Sequence, residues 1–238
     1  MTQNNHIIRI TEGNLRDIIG ESVSAVISEM AYPASFNMEE FKSLKTFAKR
    51  LEYCKARLPR LGAGSSRVVF KVDDDKVLKL AKNRKGIAQN LAEIDVLTDG
   101  YSYAILPDIF DYDENGLFLE CEICRKATEK DFQAIYGVPW GALCCAIWEQ
   151  YLNYNHQQKR FGNPYSKFEP IVQQVWQGED NDTIYFFNEV WDYVANHNND
   201  PVGDLTRVAN WGIDFEGYFK LVDCGLDDDV YRQYYGGR

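Results

Sequence analysis

Two short apolar runs near the end of the chain, at 211–213 and 218–222, flank the tetrapeptide Asp214-Phe-Glu-Gly217. Apolar runs parted by a polar, glycine-containing turn form the pattern of a β-hairpin, and a hairpin dictates which residues meet across it. Asn210 precedes the first run and Asp223 follows the second, and the midpoint between them falls inside the turn. An antiparallel ladder would make them cross-strand neighbours. An amide oxygen and a carboxylate at one sheet end form a partial shell for Mg2+, which keeps several waters and shares its other positions with phosphates.

The remainder of the chain changes period twice. Leu15, Ile18, Ile19, Val23, Val26, Ile27 and Met30 recur at helical spacing over 11–30,. After Pro33, Asn37 reads as the N-cap of a second helix, with Glu39 and Glu40 in its first turn,. Met38, Phe41, Leu44, Phe47, Leu51 and Cys54 form one face of that helix, and Pro59 stops it,. From Leu61 the pattern turns to β, with strands at 68–72 and 77–81 around Asp73-Asp-Asp75,. A helix follows at 86–97, then a hairpin of 104–110 and 117–123 around Glu114-Asn-Gly116,. Residues 61–123 therefore read β-β-β-α-β-β. Residues 128–195 read as mainly helical and rich in aromatics, with loops near 161–170 and 178–182.

Two places in the β region carry chemistry. Gly62 and Gly64, in Leu61-Gly-Ala-Gly-Ser-Ser-Arg67, let a backbone approach a phosphate without Cβ obstruction, although such a pair taken alone is more often a tight turn,. Helical periodicity does not follow at once, which argues against a dinucleotide-binding turn, and no Gly-Lys-Ser/Thr follows for a Walker loop,. Lys79 shares a strand face with Val77 and Ala81, so its ammonium leaves an apolar wall and needs an anion,. Glu93, on the following helix, offers one. The alternative is an edge-strand lysine reaching water.

In this order and spacing the pieces resemble the protein-kinase fold. The likeness rests on Gly62-Ala-Gly64 with Val69, Val77-Leu-Lys79, Glu93, Leu119-Glu-Cys-Glu122, Asp204 to Asn210 and Asp223-Cys-Gly225,. It implies an α+β, bilobal protein-kinase-like fold with an N-terminal helical extension (1–59), a β-rich N-lobe (60–124) and a minimal helical C-lobe (125–238). It further implies ATP and Mg2+ as cofactors. Gly62, Gly64, Ser65, Arg67 and Val77 would line the nucleotide, and Lys79 would hold its phosphates with Glu93 as partner. Residues 120–123 would be the hinge, meeting adenine through Glu120 and Ile123. Asn210 and Asp223 match the metal-holding residues, with Cys224 in place of the usual Phe. Asp204 stands for the catalytic acid, one residue further from Asn210 than in the family and preceded by Gly203, as in small-molecule kinases. Arg67 replaces the third loop glycine, which implies either a stiffer loop or an arginine touching phosphate. The activation segment and peptide-docking helices of full protein kinases have no counterpart after Gly225.

These features imply a phosphotransferase acting on a hydroxyl, with a protein as partner or substrate. A pseudokinase serving as a binding or assembly module, including in a phage virion, is the alternative, and AMP transfer to a protein hydroxyl a further one. The formal charge of −10 argues against a nucleic-acid groove,. The absence of a membrane-length apolar run and of a signal-peptide core in the polar start argues for a cytoplasmic protein, and the acidic, short chain suits a bacterium or a bacteriophage,. The six cysteines lack zinc-finger spacing and read as reduced thiols, with Cys121 and Cys124 the alternative metal pair,.

Overall fold

The computed structural model describes residues 33, 35–101, 103–154, 162–197 and 202–236. The helix expected at 11–30 lies outside the described residues. Helices α1 (Met38–Ser43) and α2 (Phe47–Arg57) replace the single helix expected after Asn37. Asn37 caps the first, accepting from the Glu40 amide. Leu44 then turns extended, and Thr46 caps again by accepting from the Lys49 amide at 3.3 Å. A second capping hydroxyl inside the periodic stretch satisfies a new set of free amides, so the helix restarts there. Phe41 and Cys54, from the two helices, both enter a core with Phe70, Leu78, Leu80 and Phe118.

That core covers one face of a five-stranded antiparallel sheet, in the order β1 (Arg60–Ala63), β2 (Arg67–Lys71), β3 (Lys76–Ala81), β5 (Phe118–Glu122) and β4 (Ile109–Tyr112). Strand parity sorts β3. Leu78 and Leu80 point to the α1–α2 core, while Val77 and Lys79 point to the other face,. Helix α3 (Arg84–Thr98), capped by Asn83, lies between β3 and β4 in the chain. The β4–β5 turn ends on Gly116, whose φ of +70° and closeness to the Ile87 carbonyl exclude a side chain,. Strand pairing expected from residue 104 begins only at Ile109. The backbone before it serves the other lobe: the Ile105 carbonyl accepts from the Leu221 amide at 2.7 Å, and the Ala104 carbonyl from Lys220 Nζ at 2.9 Å.

The second lobe is mainly helical. Its helices are α4 (Glu129–Tyr136), α5 (Trp140–Tyr154), α6 (Glu169–Gln177) and α7 (Asn181–Asn196). A capping box of Thr128 and Asp131 starts the first,. Phe132, Trp140, Phe186, Trp211 and Phe219 interlock as edge-to-face and tilted rings in its core,. A small sheet closes the lobe: β6 (Arg125–Lys126), β7 (Trp211–Ile213) and β8 (Phe219–Leu221). The hairpin forms, with a register one residue away from the expected one. Trp211 faces Leu221, and the Val222 amide donates to the Asn210 carbonyl, so Asn210 lies opposite Val222 and diagonal to Asp223. The cause is the turn: the Asp214 amide donates to the Tyr218 carbonyl, leaving a three-residue loop that ends on Gly217 at φ +98°,. The architecture is thus α+β, with a helix-backed antiparallel sheet and a mainly helical lobe closed by a small sheet.

Candidate active site

Between the two sheets lies a cleft of about 760 Å³. Leu61, Gly62, Val69 and Val77 form its roof, Trp211 and Val222 its floor, and the backbone from Glu122 to Lys126 its edge. Lys79 stands on the inner wall. Its Nζ pairs with Glu93 and donates to the Val222 carbonyl at 2.7 Å, one residue before Asp223. Burial alone would lower the Lys79 pKa, but the charges around it outweigh burial and raise it, so the ammonium persists,. Glu93 supplies that charge at neutral pH, because burial pushes the Cys121 thiol up to about 11. Burial would raise the Glu93 carboxyl, yet Lys79 and Arg67 together hold it below its ordinary range.

Arg67 is the second cation of the wall. Nη1 pairs with Glu93 and donates to Asn90 Oδ1 at 3.3 Å, and Nη2 pairs with Asp223 across the lobe boundary. Asn90 in turn donates to the carbonyls of Lys79 and Gly116, tying the helix to the sheet. Two close approaches hold α3 against this wall. A Cβ on Gly86 would meet the Ser66 carbonyl oxygen, and one on Gly225 the Gln89 carbonyl oxygen. The residue after helix α9 (Asp228–Tyr234) adds a third contact, Tyr235 OH accepting from Gln89 Nε2 at 3.3 Å.

Asp204 and Asn210 occupy the loop below. Asp204 ends up in the short helix α8 (Val202–Leu205), and its backbone carbonyl accepts from Asn210 Nδ2 at 3.0 Å. Its carboxylate pairs with Arg207 at 3.0 Å. Burial raises its pKa, Arg207 offsets part of the rise and nearby Asp223 adds to it. Asp204 is not among the residues lining the cleft, but a half-buried acid held above its ordinary range near Asp223 is suited to proton transfer or to orienting a hydroxyl,.

The expected residues separate into groups. Lys79, Glu93, Arg67 and Asp223 meet in one network, while Gly62 and Val77 line the cleft. Gly64 and Ser65 sit in the β1–β2 turn, where the Gly64 carbonyl accepts from Lys82 and Lys85 approaches Ser65 Oγ. Ile123 lies on the cleft edge, but Glu120 does not. Glu120 stands opposite Leu78 in the middle of β5, buried toward the far face of the sheet, and Glu122 takes the edge position. Three contributors escaped the sequence reading: Arg207, three residues after Asp204; the Val222 carbonyl, invisible because it is backbone; and the Trp211 floor.

The Mg2+ that the resemblance implies does not fit this arrangement. Asp223 is already ion-paired with a guanidinium, and Asn210 is out of register with it. Among the described residues, too, no helix is long and apolar enough to cross a membrane.

No protein-family model and no curated protein sequence matches the chain. A solved ternary complex of streptomycin, ATP and APH(2")-IIa is similar over 79% of this chain and 74% of that one, at 13% identity and a TM-score of 0.35.

Proposed function

We propose that this chain is an ATP-binding, kinase-like phosphotransferase acting on a hydroxyl acceptor, with a protein as acceptor. The observation that carries the reading is the buried Lys79–Glu93 pair on the wall of an apolar cleft, with Lys79 reaching across to Val222. A buried ion pair adds little to stability once desolvation is counted, so its place in a cleft speaks for a ligand. In this reading the adenine lies between Val69 and Val77 above and Trp211 below, with its edge on the backbone at 122–124. Gly62 and Gly64 leave open space where their Cβ atoms would be, room for phosphates to come close. Lys79 draws in the phosphate oxygens, and Asp204 orients the acceptor hydroxyl and takes its proton. Phosphoryl transfer asks for positioning and charge neutralisation more than covalent help. A cytoplasmic setting belongs to the same proposal.

A second reading, a nucleotide-binding module without turnover, is favoured by one observation: Asp204 and Asp223 are both held by arginines. Incubation with ATP labelled at the α or the γ phosphate, followed by mass spectrometry of acceptor proteins, separates the possibilities. Phosphate on an acceptor supports transfer, AMP redirects it to nucleotidyl chemistry, and neither leaves the binding module. ATP should also raise the melting temperature of the wild type and not of Lys79→Ala. A wild type indifferent to every nucleotide would end the ATP reading.

A further inference from the structure

The inner wall of the cleft holds four charges that cancel: Lys79 and Arg67 against Glu93 and Asp223. Arg67 joins the two acids. It leaves β2 just after the glycine turn, its side chain is only 10% exposed, and it reaches an acid from each lobe. A guanidinium suits this bridge. It is a planar fork with donors pointing in two directions, and it keeps its charge at any physiological pH. An ammonium is a point charge and would serve one acid well and the other badly.

We propose that Arg67 is the resident cation at Asp223, filling with its guanidinium the place that a divalent ion would take. It follows, on the ATP reading above, that the cleft takes the nucleotide without a divalent ion. Three observations support the assignment. First, a dication entering at Asp223 would strip Arg67 of one partner while its side chain remained nearly buried, leaving an uncompensated charge,. Second, the amide expected to share the metal lies opposite Val222, one residue out of register with Asp223. Third, Asn90 holds the guanidinium from behind, so the fork is kept in place by a group that does not titrate.

The test uses Mn2+ alone as probe, with free Mn2+ followed by electron paramagnetic resonance on the full chain. Wild type should leave Mn2+ free at concentrations up to about 1 mM. Arg67→Gln should gain a site that is lost again in the Arg67→Gln, Asp223→Asn double variant. Arg67→Lys should fall between them. A wild-type site that Asp223→Asn abolishes would overturn the proposal, as would an Arg67→Gln variant that folds yet gains nothing. Should Arg67→Gln fail to fold, the wild-type and Asp223→Asn titrations decide: indifference of both supports the proposal, and a difference overturns it. A second arm measures ATP affinity in EDTA and in Mg2+. Wild type should differ by less than about threefold, whereas Arg67→Gln should lose about tenfold or more in EDTA and recover in Mg2+. Strict Mg2+ dependence of the wild type overturns the proposal. Failure of ATP to bind in either buffer overturns the ATP reading instead, and leaves the Mn2+ titrations to judge Arg67.

Discussion

Lys79 and Glu93, above the cleft, have side chains 7% and 0% exposed, whereas Asp223 and Arg207 below keep 50% and 70% of theirs in water. Both regions are ion-paired, but the pairs differ in kind. Above, each charge is desolvated and depends on its neighbours, so removing one leaves another stranded. Below, water screens the Arg207–Asp204 pair, which contributes a fraction of a kilocalorie, whereas Asp223 is held by the nearly buried Arg67,. The upper wall is therefore an all-or-none unit that sets the fold of the cleft. The lower loop can exchange partners, as the catalytic role proposed for Asp204 would require.

The contrast breaks most visibly at Glu93. Glu93→Ala should strand Lys79 and Arg67 and cost about 3–5 kcal/mol, read by chemical denaturation. Asp204→Asn should instead leave stability within about 1 kcal/mol while lowering any phosphotransfer rate by roughly 10²–10⁴-fold. Equal stability losses in the two variants would erase the distinction. Gly225→Ala, which drives a methyl into the Gln89 carbonyl, should cost about 1–3 kcal/mol by shifting α3,. By comparison Gly64→Ala, with open space around it, should change stability by less than about 0.5 kcal/mol and act only on nucleotide affinity,.

A pH titration sharpens the same comparison. The Glu93 carboxyl is held low in the folded state, so its contribution is present above the unfolded pKa and is lost as pH falls through the folded value,. Acid denaturation of wild type should carry this dependence, and Glu93→Gln should be less stable at neutral pH and flatter across the acid range. Asp204 runs the other way. Its carboxyl is held high, so a rate that needs it ionised should rise with pH through a limb above the ordinary carboxylate range,. Arg207→Gln removes the cation that lowers it and should move that limb upward.

The upper wall was legible in the sequence because local periodicities determine it. Strand parity puts Lys79 on the face of Val77, and the helical stripe of α3 carries Glu93 to the same side. Asn37 was readable as a cap for the same local reason. The errors came where a single residue shifts a register. Glu120 differs from the cleft-facing positions of β5 by one step in parity, and the hairpin turn shed one residue when Asp214 paired with Tyr218,. Thr46 hid a helix restart inside an unbroken apolar stripe, since Leu44, Phe47 and Leu51 keep their spacing across it. Arg67 was legible as a departure from the glycine pattern, but not for its partner. An ion pair spanning 156 positions leaves no local trace.

The contacts of β8 also determine how the two lobes can part. Near Leu221 the strand is stitched to the Ala104–Ile105 backbone by the Leu221 amide and the Lys220 ammonium, and just beyond its end Lys79 and Arg67 grip Val222 and Asp223. In the first seam an amide and an ammonium donate to neutral main-chain carbonyls, and the second includes a guanidinium–carboxylate pair half open to solvent. Separation of the lobes then works like a clasp with its pin at Ile105 and its catch at Asp223. Added electrolyte loosens the catch and spares the pin.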